Sequence, residues 1–301
     1  NFDVALVSFH QEGGIVKSMF RNRNDFAGFL AIAIGPVLWC AFQTPKKIRS
    51  EIRSRSSRKR ISPLETPHNH QSSGFQLAIG LGILSTLCLA VFISLSRGGS
   101  IALVIASIIG CCMLMRSGYL KSNTGLGLLA ALAIIVITLQ IHGMDQVGAR
   151  AETLFDSDQL EKTFGRQEVW NAAFQTISAF PLFGTGIGSH SDVSPMTMPP
   201  TDLTHFVHAE NSYLNLAVET GFLGLCVALF AFFVTLAATL TVYCKGSSRE
   251  QAIAAAIVAG LVAGMVNAIG HFNWYVPAIT TLMIVLGICG IRMAEKYASW
   301  L

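Results

Sequence analysis

Runs of about 20 apolar residues recur along the chain, and they constrain its fold more than any other feature. A helix needs ~20 such residues to cross the hydrocarbon core of a bilayer. We identify seven candidate spans, at 25–43, 74–95, 99–115, 125–142, 211–243, 251–269 and 275–292. Charged residues make up only 13% of the chain, about half the share of a soluble domain. The sequence therefore predicts an all-α, polytopic transmembrane helical bundle that forms a single membrane domain over residues 1–301.

Basic residues set the expected orientation of this bundle. Eight Lys and Arg residues, more than any other connection carries, fall in the segment 44–73. Short loops rich in Lys and Arg stay in the cytoplasm, and such a loop also attracts anionic lipid headgroups. We expect 44–73 to be a basic cytoplasmic loop beside membrane lipids, and 143–210 to be a long extracytoplasmic loop with an amphipathic helix. Because the net charge of +4 is concentrated in the basic loop, nucleic acid is not an expected partner.

Cysteines and histidines give no metal or redox signature. The seven cysteines lie in apolar segments or at their ends, without CxxC spacing. His190, His205 and His208, with Asp192 and Glu210, match no tight ligand pattern such as HExxH. We therefore expect neither a metal nor a cofactor.

Two arginines, Arg97 and Arg166, are candidates for binding an anionic ligand. Arg97 lies between two apolar runs, with Ser96 before it and two glycines after it. It is either a snorkelling residue at a helix end or an anion site at the mouth of a cavity. Arg166 precedes Trp170 by four residues and either rests on its ring or forms a second anion clamp.

Polar residues also open the span at 211–243. Asn211, Asn215 and Glu219 are spaced i, i+4, i+8, so they share one helix face. A lipid-facing stripe would leave them unsatisfied, so we expect the stripe to face the bundle interior or a wet cavity. His208 and Glu210 stand just before it, at the outer surface. Either of them is a candidate base.

These features together suit transfer chemistry on a lipid diphosphate. Two arginines would stabilise the diphosphate as it leaves, and a base would take the proton of an acceptor hydroxyl. A transporter or flippase of anionic glycolipids is the alternative. Transporters often contain repeated halves with broken helices at matching positions. The sequence shows no such internal repeat, which favours an enzyme.

Four sequence blocks resemble the O-antigen ligase and polymerase superfamily, in that family's order. They are "FRNRNDFAGFL" (20–30), "SLSRGGSIALV" (94–104), "GRQEVWNAAFQTISAFPLFGTGIGS" (165–189) and "HAENSYLNLAVETGFLGL" (208–225). The family patterns are N-x-N-H-F-A, S-R-G, G-R-x-x-x-W…P-L-x-G-x-G-x-G and H-N-x-Y-L…E-x-G-x-x-G. This chain departs from them twice, with Asp25 and Glu210 where the pattern has His.

The resemblance implies a GT-C-like fold and an inverting, metal-independent glycosyl transfer in the bacterial inner membrane, with the active site facing the periplasm. The donor would be an undecaprenyl-diphosphate-linked glycan, and the acceptor a lipid core, a glycan or a protein. By position, Arg97 and Arg166 would hold the diphosphate, Glu210 or His208 would be the base, and Asn211, Tyr213 and Asn215 would contact substrate. The change of His to Glu also leaves open an inactive family member. The family has more than seven spans, and the chain starts at Asn1, so we expect the C-terminal part of a longer protein.

Overall fold

The computed structural model describes residues 20, 22–41, 72–94, 96–130, 157–197 and 207–297. The basic segment up to residue 71 and the first part of the 143–210 loop, up to residue 156, lie outside these described residues. Sidedness based on that segment therefore stays a prediction.

Every regular element in the described part of the chain is helical, as predicted. The helices are α1 (Arg23–Ala41), α2 (Ser72–Ile93), α3 (Arg97–Arg116), α4 (Ser157–Ala179), α5 (His190–Thr197), α6 (Ser212–Lys245), α7 (Ser248–Ile269) and α8 (Pro277–Ala294), with a 3₁₀ turn at Asn273–Tyr275. Five of them, α1, α3, α6, α7 and α8, are long and apolar enough to cross a membrane. The predicted span at 74–95 corresponds to α2, which contributes a shorter apolar stretch, Ile79–Ile93. The span predicted at 125–142 is described only to residue 130, where 122–130 is helical.

Helix α7 is the centre of the bundle, and 10 of its 22 residues are Ala, Gly or Ser. It packs against α1, α3, α6 and α8. At Gly35 of α1 and Gly260 of α7, an added Cβ would overlap a backbone carbonyl of the facing helix. Small residues permit such close backbone approach in membrane bundles, where lipid tails supply no net hydrophobic force between helices. The α1–α7 contact therefore depends on glycine and alanine.

Helix α6 contains a break at Gly221, where φ is 65° and ψ is −171°. This break accounts for the unusual length of the predicted 211–243 segment. Residues 222–245, at ~1.5 Å per residue, extend roughly 36 Å and suffice to cross the hydrocarbon core. The part before Gly221 is a separate short helix that carries the polar stripe.

The two ends of the bundle have different chemistry. At one end, α1, α3, α6 and α8 begin and α2 and α7 terminate, and the polar residues of the sequence blocks meet there. At the opposite end, Tyr243 donates to the carbonyl of Met113, and Lys296 and Tyr297 both donate to Glu250. The first of these ends is called the polar end below.

Candidate functional site

The predicted polar stripe of α6 is buried and hydrogen-bonded. Asn211 is the N-cap, and its Oδ1 accepts from the N–H groups of Tyr213 and Leu214 at 2.9 and 3.1 Å. Asn215 is fully buried; its Oδ1 accepts from the N–H of Ala209 and its Nδ2 donates to Glu219. The expectation that the stripe faces the interior is confirmed. Substrate contact by Asn211, Asn215 or Tyr213 stays a prediction. Oδ1 of Asn211, both amide atoms of Asn215 and the hydroxyl of Tyr213 form hydrogen bonds within the protein.

Glu219 completes a network between α6 and the turn before α8. Its Oε1 accepts from Asn215 at 3.2 Å and its Oε2 accepts from the hydroxyl of Tyr275 at 3.0 Å. The carboxylate is buried, so these two donors offset part of its desolvation. Tyr275 thus has a specific hydrogen-bond partner, and the ring of its neighbour Trp274 packs edge-on against Tyr213.

The turn at 270–275 is fixed to the start of α6. The N–H and hydroxyl of Ser212 donate to the carbonyl of His271 at 3.1 and 2.8 Å. Buried Asn273 accepts from the Ser212 hydroxyl and donates to the carbonyl of Gly264. These bonds hold the His271 backbone and so determine where its imidazole lies.

The imidazole of His271 lies between two carboxylates. Its Nε2 is hydrogen-bonded to Oδ1 of Asp25, and its Nδ1 is 3.7 Å from Oε2 of Glu210. The His271 side chain is 2% exposed, whereas that of Glu210 is 21% exposed. Burial lowers the pKa of His271, but the carboxylates of Asp25 and Glu210 outweigh it, and the net pKa is raised. We call Asp25, His271 and Glu210 the carboxylate–imidazole cluster.

Glu210 has an unusual backbone conformation for a residue with a side chain. Its φ is 52°, and it is the only non-glycine residue with positive φ among those the structure describes. Such a conformation costs on the order of 1–3 kcal/mol and often marks a functional site. The strained backbone aims the Glu210 carboxylate at His271 while leaving part of it accessible.

His208 has a different environment from Glu210. Its ring stacks on Phe272 at 4.4 Å between centroids and tilts against Tyr275 at 5.1 Å. Its Nδ1 is buried and has no hydrogen-bond partner within the described part of the chain. Burial lowers the pKa of His208, which Glu219 and Glu210 only partly counteract. His208 is therefore enclosed by rings, and its charged form is disfavoured, whereas Glu210 is partly accessible.

Arg97 begins α3 at the polar end. Ser96 caps the helix by accepting from the N–H of Gly99 at 3.2 Å. The Arg97 side chain is exposed and makes no hydrogen bond or ion pair with another described residue. Gly98 gives room for the buried amide of Asn267, because a Cβ there would lie 3.2 Å from its Oδ1. The Ser-Arg-Gly block thus combines a helix cap, an available cation and a close helix contact.

The long loop joins the polar end through its described part. Trp170 of α4 donates from Nε1 to the carbonyl of Ala209 at 2.9 Å, next to Glu210. The backbone of α4 continues through Arg166, but the Arg166 side chain lies outside the described part, as does His205. The predicted clamp by Arg166 is therefore untested.

The glycine-rich segment 181–188 is inserted into the break of α6. The N–H groups of Thr185 and Gly186 donate to the carbonyls of Val218 and Glu219, both at 2.9 Å. In return, the N–H groups of Phe222 and Leu223 donate to the carbonyls of Pro181 and Leu182 at 2.8 and 3.3 Å. The segment therefore satisfies two carbonyls and two N–H groups on either side of the break, as buried backbone requires. Two separate sequence blocks therefore form one structural unit, which we call the spliced loop.

Sequence reasoning missed His271 as a site residue and treated Asp25 only as a departure from the family pattern. A signal was present, because both departures replace His by a carboxylate. A single His at the mouth of a later span, in "AIGHFNWY", supplies an imidazole between them. The described residues contain no group of three or more His, Cys, Asp or Glu placed to hold a metal ion.

One comparison with known proteins is informative. Residues 82–229, about half of the chain, match the family model described as O-antigen ligase. This region contains the Ser-Arg-Gly block, α4, the spliced loop and Glu210. No curated protein matches the chain.

Proposed function

Because the chain belongs to the O-antigen ligase-like family, we propose that it transfers a glycan from an undecaprenyl-diphosphate carrier to an acceptor hydroxyl on the extracytoplasmic side of the membrane. The family supports membrane glycosyl transfer in general, with a lipid-linked glycan donor. The observation that carries the finer proposal is the partly exposed Glu210 carboxylate beside a buried imidazole, at the end of the bundle where Arg97 is exposed.

Glu210 is the proposed general base. The acceptor hydroxyl gives its proton to the Glu210 carboxylate as its oxygen attacks the anomeric carbon of the donor. The bond from that carbon to the diphosphate oxygen breaks, and the electron pair leaves with the diphosphate. Attack opposite the leaving group inverts the anomeric centre. His208 is the weaker candidate, since its ring is held between Phe272 and Tyr275 and its pKa is lowered by burial.

Arg97 is the proposed counterion of the departing diphosphate. A guanidinium presents paired N–H donors that match phosphate oxygens. Its exposure at the start of α3 leaves these donors available. Arg166 takes the second position by resemblance. The charge that develops on the diphosphate is then stabilised where it forms.

A transfer assay tests the proposal. The full-length protein in native membranes receives an undecaprenyl-diphosphate-linked glycan and candidate acceptors. Glu210→Gln and Arg97→Ala are compared with Arg249→Ala, which changes a basic residue at the opposite end. We expect the first two variants to lose at least 10²-fold in rate with unchanged abundance, and Arg249→Ala to match wild type. Wild-type rates in Glu210→Gln would contradict the assignment of the base.

Genetic rescue separates the possible acceptors. The full-length gene is expressed in one strain that lacks a ligase and in another that lacks a polymerase. Attachment of glycan to the lipid core indicates ligation, and restored chain length indicates polymerisation. Product in neither strain, and no glycan on protein, would reject glycosyl transfer for this chain.

A further inference from the structure

Nδ1 of His271 is a buried nitrogen without a hydrogen-bond partner among the described residues. An unsatisfied buried polar atom costs about 1–3 kcal/mol, and the strained backbone of Glu210 adds a similar cost. Both costs fall within the carboxylate–imidazole cluster, where Nδ1 of His271 lies 3.7 Å from Oε2 of Glu210. If the two groups formed only a structural ion pair, they would be expected to lie at hydrogen-bonding distance.

At 3.7 Å, Nδ1 of His271 and Oε2 of Glu210 are within reach of an ion pair but beyond ordinary hydrogen-bonding distance. Asp25 accepts from Nε2 of His271, so Nδ1 of the neutral ring has a lone pair that faces the Glu210 carboxylate. Two acceptors cannot hydrogen-bond to each other. When either group gains a proton, they can approach to about 2.8 Å in a charge-assisted hydrogen bond.

We propose that His271 is the proton-holding residue of this site: it shares the proton that Glu210 takes from the acceptor hydroxyl, while Asp25 keeps its ring oriented. This inference rests on the proposed glycosyl transfer. His271 does not reach the substrate, since it is buried behind Glu210, and so it is a positioning residue.

The proton balance is complete within the cluster. The acceptor O–H bond breaks, its proton moves to Glu210, and it is then shared with Nδ1 of His271. The new glycosidic bond forms as the anomeric carbon–diphosphate bond breaks, and the carrier leaves as undecaprenyl diphosphate. After release of product, the shared proton returns to water through the exposed part of the Glu210 carboxylate.

Three titratable groups face His271 from the elements around it. Asp25 comes from α1, Glu210 comes from the segment before α6, and His208 acts across the ring of Phe272. The two carboxylates favour the protonated ring, and His208 opposes it only when charged. The cluster therefore becomes protonated at a higher pH than Glu210 alone would. Once it is protonated, it cannot take the proton of the acceptor hydroxyl, so transfer stops.

The pH dependence of transfer tests the proposal. The transfer rate of the wild type should fall on the acid side of its pH profile, with a midpoint above pH ~6.5, the ordinary pKa of His. In His271→Gln, which keeps an N–H for Asp25 but cannot accept a proton, the limb should move toward the carboxylate range, roughly 2 pH units lower. We expect kcat on the plateau to fall about 10- to 10²-fold, with KM unchanged.

His190→Gln is the matched control. His190 is also buried, and its Nδ1 has no hydrogen-bond partner among the residues that the structure describes, but it lies outside the carboxylate–imidazole cluster. Its substitution should leave the acid limb in place. A His271→Gln profile that coincides with that of wild type would overturn the proposal, whatever the change in rate.

A titration without turnover guards against misfolded variants and separates the two proposals. The protein in nanodiscs is labelled with ¹⁵N-histidine, and the His271 signal is followed with pH. Glu210→Gln should lower the pH at which His271 titrates, and an unchanged titration would overturn the inference. If Glu210→Gln shifts the His271 titration but the wild type makes no product with any undecaprenyl-linked donor, the proposed function is refuted. The proton-holding role of His271 in that reaction is then refuted with it.

Discussion

Gly221→Ala is the sharpest test of the spliced loop. At φ 65° and ψ −171°, Gly221 has a conformation that only glycine adopts easily. Strain in an alanine there costs about 1–3 kcal/mol. A Cβ would also overlap the Leu182 carbonyl and the Phe183 nitrogen, which breaks the hydrogen bonds of Phe222 and Leu223 to the loop. At about 0.5–1.5 kcal/mol each, the total reaches about 2–6 kcal/mol.

Two other glycines separate the contributions to that total. Gly186 has φ of 111° but open space around its Cβ position, so Gly186→Ala should lose the strain energy alone. Gly82 lies in α2 with open space and ordinary helical geometry, so Gly82→Ala should change stability by no more than ~1 kcal/mol. The expected order of destabilisation is Gly221, then Gly186, then Gly82.

Unfolding of the full-length protein in detergent micelles, titrated with SDS, measures these differences. Tryptophan fluorescence is a suitable signal because Trp170 is hydrogen-bonded to Ala209, near the spliced loop. A loss of 2–6 kcal/mol is a large share of a typical 5–15 kcal/mol stability. If Gly221→Ala unfolds within 1 kcal/mol of Gly82→Ala, the loop is not spliced into α6.

Three further predictions follow from the polar end. Gly28→Ala should sharply reduce the folded fraction in size-exclusion profiles, because its Cβ would overlap the amide of buried Asn267; normal profiles would contradict the α1–α7 contact. Because the pKa of His271 is raised in the folded protein, the contribution of His271 to the free energy of unfolding is present below pH ~6.5 and is lost as pH rises through the folded-state pKa. Asp25→Asn should make the thermal unfolding temperature depend less on pH. Transfer should persist in chelator, and a loss that added metal reverses would refute metal-independent chemistry.

Much of the fold could be predicted because bilayer physics leaves few choices. Backbone groups in lipid must be satisfied internally, so apolar runs of the right length become helices. The runs at 99–115 and 251–269 coincide closely with α3 and α7. The stripe of Asn211, Asn215 and Glu219 was also correctly predicted to face inward, because its spacing places three polar groups on one face.

The site was harder to predict because its members come from distant parts of the chain. Asp25 and His271 are 246 residues apart, and no local periodicity links them. The break at Gly221 was hidden in a continuous apolar run, since glycine is tolerated in membrane helices. The partner that makes the break possible, the 181–188 segment, lies outside the run. Pairings of this kind depend on tertiary contacts, which spacing alone does not encode.

The order of the two parts of the spliced loop along the chain bears on how α6 enters the membrane. Residues 181–186 leave the ribosome before 218–223, so the backbone groups that satisfy the break already exist when α6 emerges. An apolar segment with unsatisfied backbone groups at the start of its transmembrane part would enter the bilayer at a penalty. Pairing with the earlier segment removes that penalty and sets where the transmembrane part of α6 begins. The boundary of this span is thus determined by a stretch of chain outside the span.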